Sequence, residues 1–358
     1  MKSVVGIYTD ANRRGGVKGY GAIGWYRVIN PLSKLGYETL GDVKLGAPQD
    51  AINLKKKGDI WFFKEADNDG MNVHIDTAKT FTGAKMVLDL DDDPFSIDER
   101  HPLYEFRNDS EAKIARMIAI SDHITVSTQH LKEVISKHHH DVTVLPNAID
   151  PEIWKVTKKQ RNDGKIRIGW VASGSHLVDT PLINPVFDEI LAKYPQVELH
   201  LCGFTDKSSS RGDREFHHQG TVGYDTYPQF LADLDLDIAV APLLDIPFNR
   251  SKSNIKWLEN AMLETPMVLS DVEPYKCVNH YKNGYLASNH AQWVKYLSWL
   301  IENPEKRKEI GKAAKEEALK NYTIDKQLHK YEELFERIET NPDIIDRKKL
   351  EQMNEYSN

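Results

Sequence analysis

Ser251-Lys-Ser-Asn-Ile-Lys-Trp-Leu-Glu-Asn-Ala-Met-Leu-Glu-Thr-Pro-Met-Val-Leu-Ser-Asp271 reads as a helix set between two buried strands. Leu236–Leu243 (LDIAVAPL) precedes it as one strand, and Pro266–Asp271 follows as the next, directly after the Thr265-Pro266 break. Ser251, Ser253 and Asn254 are residue types that cap helix starts. At about 100° per residue, Ile255, Leu258 and Met262 share an apolar face, with Lys252, Lys256 and Glu259 in a neighbouring arc of roughly 60°. A helix start aimed at the end of a parallel strand is an anion site, because its first N–H groups are free and its dipole is positive there. Lysines at that point neutralise a diphosphate, and a carboxylate one turn deeper accepts from ribose hydroxyls. The same pattern also fits a surface helix with a charged side.

Alternating strand and helix patterns surround this stretch. Residues 3–10, 59–63, 85–90, 123–128 and 141–147 read as strands, and a second series begins at residues 165–173 and continues at 197–203. Such alternation implies an α/β chain of two Rossmann-like, doubly wound domains facing each other across a cleft. The 358 residues suffice for two full cores. The expected division is residues 1–150, residues 151–323, and residues 324–358 as a helix crossing back followed by a polar tail.

Leu258–Asp271 resembles the donor-site helix of two-domain (GT-B) glycosyltransferases of retaining family 4 (glycosyltransferase group 1), which show Glu-x7-Glu followed by a turn and a Pro-hydrophobic strand. Glu259 matches the second glutamate, which holds the nucleotide ribose in that family. The first, which contacts the donor sugar, falls at Ser251, so neither the sugar nor the anomeric outcome follows from the resemblance. The resemblance implies a nucleotide-diphosphate sugar, most simply a UDP-sugar, on residues 151–323, and an acceptor on residues 1–150. It implies a hexosyl- or pentosyltransferase in which Arg250, Lys252, Ser253, Asn254 and Lys256 face the diphosphate.

Ser173, Gly174, Ser175 and His176 follow a strand where relatives place an Arg and a Lys on the diphosphate, and they are expected to substitute. Val222, in Gly220-Thr-Val222, resembles the nucleobase-pocket segment. Gly16 and Gly21, with Gly15 and Gly19, lie in a long loop that lets backbone approach phosphate or acceptor, with Arg13, Arg14, Lys18 and Arg27 adding positive charge. Gly19–Gly24 is a literal G-x-G-x-x-G, but around nine residues separate it from the strand, which argues against an NAD-dependent oxidoreductase.

Asp89-Leu-Asp91-Asp92-Asp93-Pro94 ends a strand, where ligand and catalytic groups gather. Asp91, Asp92 or Asp93 is the natural general base if the enzyme inverts. The run also suits acceptor or divalent-cation binding, a metal being possible but not required, or simply capping of the next element. Together with Tyr26, Arg27 and Pro31, it resembles a subgroup common in bacteriophage and bacterial genomes, which adds hydroxymethylated pyrimidine in DNA to glycan and lipid precursors as acceptors. Lys55–Lys57 would then help form a basic rim. A GT-B sugar-nucleotide epimerase is the alternative. His138–His140 reads as a helix-end surface feature, since neighbours on a helix diverge by about 100°.

The net charge of −7 argues against non-specific coating of nucleic acid. Cys202 and Cys277 read as thiols. With no apolar run of membrane-spanning length, the sequence reads as cytoplasmic, in a bacterium or a phage-infected cell.

Overall fold

The computed structural model describes residues 4–8, 22–41, 43, 45–64, 69–101, 104–159, 161–203, 211–218 and 223–340. The first sheet contains β1 (Val4–Tyr8), β2 (Glu38–Gly41), β3 (Ile60–Lys64), β4 (Lys85–Leu90), β5 (His123–Val126) and β6 (Val142–Val144), ordered β2-β1-β3-β4-β5-β6. The second contains β7 (Ile166–Ala172), β8 (Val197–Gly203), β9 (Glu215–His218), β10 (Ile238–Ala241), β11 (Met267–Ser270) and β12 (Tyr285–Ala287), ordered β12-β11-β10-β7-β8-β9. All pairings are parallel. Strands covered on both faces need unbroken apolar runs, and β3 and β10 are buried throughout.

Strand order dictates where a ligand binds. In the second sheet, the order reverses between β7 and β10, and side chains beyond the carboxyl ends of those strands meet in a crevice. In the first sheet, the reversal lies between β1 and β3. The helix Ile255–Met262 therefore starts beside one crevice, and Lys64 and the aspartate run sit beside the other.

The chain passes between domains twice, and the two passages are tied together. Ile149 N–H donates to the Tyr322 carbonyl at 2.8 Å, and Ile324 N–H to the Ile149 carbonyl at 2.8 Å. The last helix, Leu328–Thr340, then buries Tyr331, Leu334, Phe335 and Ile338 against Val4, Leu32, Ile60 and Phe62 of the first domain.

Arg337 of that helix meets His123 Nε2 at 3.1 Å and Thr143 Oγ1 at 3.1 Å. Burial, and then the Arg337 charge, lowers the His123 pKa from about 6.5 to about 3. The unfolded chain therefore takes up this proton at a higher pH than the folded one, so stability is lost as pH falls from 6.5 toward 3. We expect the melting temperature to decline through that window, and His123→Gln to flatten the decline. A wild-type profile that His123→Gln leaves unaltered would contradict this.

Gly311 lets the helix Pro304–Asn321 close on the site helix. A Cβ there would lie 2.0 Å from the Glu264 carbonyl oxygen, where backbone itself must move. Gly311→Ala is expected to cost about 1–3 kcal/mol in urea unfolding. A neutral result would mean that the two helices separate freely.

Candidate functional site: the cleft between the two domains

Pro31 shapes the first wall. It has no N–H for the Arg27 carbonyl and its ring crowds that carbonyl, which an ordinary helical turn cannot accommodate. The helix widens into a π-turn over Trp25–Ile29. From this turn, Arg27 enters its own domain and Tyr26 enters the other. Arg27 Nε and Nη2 meet Asp89 at 2.9 and 2.5 Å, and Nη1 donates to the Leu145 carbonyl and, at 3.1 Å, to Asn147. Both charges are fully buried, and Thr125 also donates to Asp89, at 2.6 Å. Arg27 is thus not loop charge facing a ligand, as its place in the sequence suggested, but half of a core ion pair.

The aspartate run divides its labour. Lys64 pairs with Asp91 at 2.7 Å. Burial pushes the Asp91 carboxyl up, but Lys64, helped by Arg27 and Lys252, outweighs it and holds the carboxyl below its ordinary range. Asp93 is buried and accepts from Phe95 N–H at 2.9 Å, the capping role, while its Oδ2 has no partner. Only Asp92 combines exposure with a cross-cleft contact, to Lys252 Nζ at 3.5 Å. Of the three candidate bases, one therefore faces the second domain.

On the second wall, His176 follows β7 in the turn Gly174–Asp179. Its Nδ1 meets Asp179 at 3.0 Å, and the Asp179 carboxylate also accepts from Leu244 N–H and Asn249 Nδ2 at 2.8 and 2.9 Å. Asp179 thus ties the loop after β7 to the loop after β10. A carboxylate on Nδ1 selects the tautomer that leaves Nε2 as the acceptor. Burial outweighs the Asp179 bond and lowers the His176 pKa. His101 of the first domain packs edge-on against Phe248 at 5.3 Å, and Lys252 lies over the same ring at 4.5 Å. Burial, then the Lys252 charge, lowers the His101 pKa.

The helix Ile255–Met262 departs from its sequence reading at its start. No side chain caps it. Ser253 Oγ instead accepts from Asn147 Nδ2 at 2.8 Å, Asn254 Nδ2 donates to Cys277 Sγ at 3.2 Å, and the Ser251 carbonyl accepts from Thr128 of the first domain at 3.0 Å. These contacts border an interdomain cavity of about 260 Å³, with Lys252 and Arg250 on its wall. Arg250 is paired with Asp245 at 2.7 Å.

Glu259 is 2% exposed, which removes the reading of this helix as a surface helix with a charged side. Its oxygens accept from Tyr26 at 3.1 Å and Tyr227 at 3.0 Å, and Lys256 Nζ lies 3.4 Å away. Tyr224 donates in turn to Tyr26. The carboxylate expected to hold a ribose is therefore held, in this conformation, by a tyrosine from the opposite domain.

Ser173 is exposed and Gly174 half-buried beside His176. Gly16, Gly21 and Val222 lie outside the described residues, as does the Ser175 side chain. Sequence reasoning missed Asp179, Tyr227, Lys64 and His101; the His-x-x-Asp spacing of His176 and Asp179 was the one local signal. One surface reading also changes. Lys55 and Lys57 pair with Asp59 and Glu38, and their helix ends where β3 begins, about 13 Å of strand from the cleft. They form no cleft rim. His138–His140 follows the helix Gln129–Ile135, with His138 and His140 exposed, as expected of a helix-end surface feature; His138 stacks on Phe95 at 4.2 Å, and His139 bonds Ser121 O. Cys202 and Cys277 are free thiols. Among the described residues, no three His, Cys, Asp or Glu side chains converge on a metal position, and no helix is long and apolar enough to cross a membrane.

No curated protein matches the chain in sequence. Similar solved structures include Anabaena HepE (Alr3699) in complex with UDP and glucose, at TM-score 0.61 and 12% identity, covering 94% of this chain and 100% of that one. Sucrose-phosphate synthase from Thermosynechococcus elongatus gives TM-score 0.60 at 10% identity, covering 94% and 99%. A glycosyltransferase from Rickettsia africae gives 0.59 at 11%, covering 95% and 99%. The family model described as "Glycosyl transferase-like" matches residues 184–333, which include the site helix. The chain has the two-domain GT-B fold, and its second domain carries a glycosyl transferase-like sequence.

Proposed function

We propose that the protein transfers a sugar from a nucleotide-diphosphate sugar, in the first instance a UDP-sugar, to an acceptor hydroxyl. The observation that carries this reading is the Lys252–Asp92 approach at 3.5 Å, where the crevices of the two sheets meet. A leaving diphosphate needs cations at the second-domain crevice, and Lys252, Lys256 and the uncapped helix start supply them. An acceptor hydroxyl needs a polar group on the first-domain side, and Asp92 supplies it. His176, with Nε2 free to accept, stands on the donor side. The likeness of residues 184–333 to glycosyl transferases and the UDP complexes of the Anabaena protein support this choice of donor. Closing the domains around the donor excludes water and limits hydrolysis. Lys55–Lys57 lie away from the cleft and lend no support to duplex DNA, so a glycan or lipid-precursor hydroxyl is the acceptor taken first; Arg13, Arg14 and Lys18 lie outside the described residues.

The test is UDP release from UDP-glucose and UDP-N-acetylglucosamine, with products analysed by mass spectrometry. The reading expects slow release to water that is lost in Lys252→Ala. Asp92→Asn is expected to slow turnover by about 10²-fold or more, the worth of a general base, with nucleotide affinity retained and Asp93→Asn milder. Epimerised sugar as the product, or no turnover of either donor, would overturn the reading.

A further inference from the structure

A second concavity of about 700 Å³ lies on the outer face of the second domain, between helices Thr180–Lys193 and His290–Glu302. It is within the size range of small-ligand sites. It reaches Glu189, about 15 Å down its helix from the cleft-facing Asp179. Nothing in the proposed chemistry uses it.

Its walls are aromatic, and two rings are turned to solvent. Tyr281 is 57% and Trp299 45% exposed. Tyr285 stacks on Tyr296 at 5.0 Å, and Tyr281 stands perpendicular to Tyr296 at 5.9 Å. Burying Tyr281 would be the cheap arrangement for an apolar ring, yet the backbone presents it outward at φ 69°, a costly conformation for a bulky residue. That turn is braced. Tyr281 N–H donates to the Gly284 carbonyl at 3.0 Å, Asn279 N–H to Asn283 Oδ1 at 2.7 Å, and the buried Trp257 indole to the Asn283 carbonyl at 3.1 Å.

The polar rim identifies the ligand class. Glu189 meets His290 at 2.7 Å, and Glu302 meets Lys193 at 3.7 Å. Lys306 pairs with Glu309 at 2.6 Å, and Lys295 lies over the Tyr296 ring with no carboxylate partner among the described residues, so the opening carries a single uncompensated cation rather than the field of several that a phosphate chain or a nucleic acid needs. Exposed ring faces beside paired donors and acceptors suit a neutral, hydroxyl-rich ligand. The axial C–H face of a sugar ring meets the electron-rich face of an aromatic, while its hydroxyls bond the carboxylates and the tyrosine hydroxyls.

We propose that this concavity is a carbohydrate-binding site for a neutral oligosaccharide, separate from the cleft. It holds the chain on Trp299 and Tyr281 and needs no nucleotide, so it stands whether or not the cleft reading does. The test is a titration of indole N–H resonances with maltotetraose, cellotetraose and chitotetraose, Trp299→Phe identifying the relevant peak. At least one sugar should shift that peak saturably in wild type and in Glu259→Ala. Affinity, measured by calorimetric titration with the sugar that shifts the peak, should fall about five- to tenfold in Trp299→Ala and, independently, in Tyr281→Ala, the worth of one ring stack. Both residues are surface-exposed, and an unchanged indole spectrum elsewhere confirms the fold. No shift with any of the three sugars at tens of millimolar would overturn the proposal. So would a calorimetric affinity that both alanine variants leave intact, or a dimer that Trp299→Ala converts to monomer.

Discussion

Asp89→Ala is expected to destabilise the protein by about 3–5 kcal/mol in urea unfolding, a large fraction of the roughly 5–15 kcal/mol that holds a domain folded. The reason is what it leaves behind. Arg27 is 0% exposed, and its hydrogen-bond partners would be reduced to the Leu145 carbonyl and the Asn147 side-chain oxygen, with Asp91 already paired to Lys64. A double variant, Arg27→Met with Asp89→Leu, should recover most of the loss, because removing both charges also removes their desolvation cost. A loss below about 1 kcal/mol in Asp89→Ala would show that water reaches Arg27 and that the pair is not the core element described here.

Glu259→Ala and Tyr26→Phe are expected to move nucleotide affinity in opposite directions. If the Glu259 carboxylate receives the ribose hydroxyls, deleting it weakens UDP binding by about 10- to 150-fold, the range of a hydrogen bond to a charged group. Tyr26 donates to that carboxylate at 3.1 Å and so competes with a ribose hydroxyl for it. A competitor for the site lowers apparent affinity by the fraction of time it is bound. Tyr26→Phe keeps the ring packed on Tyr224 at 4.7 Å and removes the hydroxyl, so UDP should bind more tightly. Calorimetric titration of both variants measures this. Weakening in both would mean that Tyr26 serves the nucleotide rather than excluding it.

The legible part of this chain is the part whose physics is local. β4 and β8 coincide with their sequence readings, because interior parallel strands, covered on both faces, are mostly apolar. The three strands that sequence reading missed, β2, β9 and β12, all lie at sheet edges. There one side is solvated, and Glu38-Thr-Leu-Gly41 and Glu215-Phe-His-His218 carry no continuous apolar run. The site helix was legible from its periodicity and its Thr265-Pro266 stop. Its cap was not, because Ser253 and Asn254 are drawn away by Asn147 and Cys277, which are distant in sequence. The aspartate run announced itself, but which carboxylate faces the cleft depends on Lys64 and Lys252, and no local pattern encodes that. Tyr26 reaching Glu259, 233 residues away, is wholly a product of domain docking.

Binding of a nucleoside diphosphate in the second-domain crevice, through Glu259 and its lysines, is tested most directly by the melting temperature of wild type and Glu259→Ala with UDP, GDP, ADP, CMP and NAD, with and without magnesium. A ligand at 100 times its dissociation constant adds about 2.7 kcal/mol to the folded state. The account expects a selective rise with one nucleoside diphosphate in wild type, largely lost in Glu259→Ala. A rise with NAD alone, or an equal rise in both proteins, would contradict it.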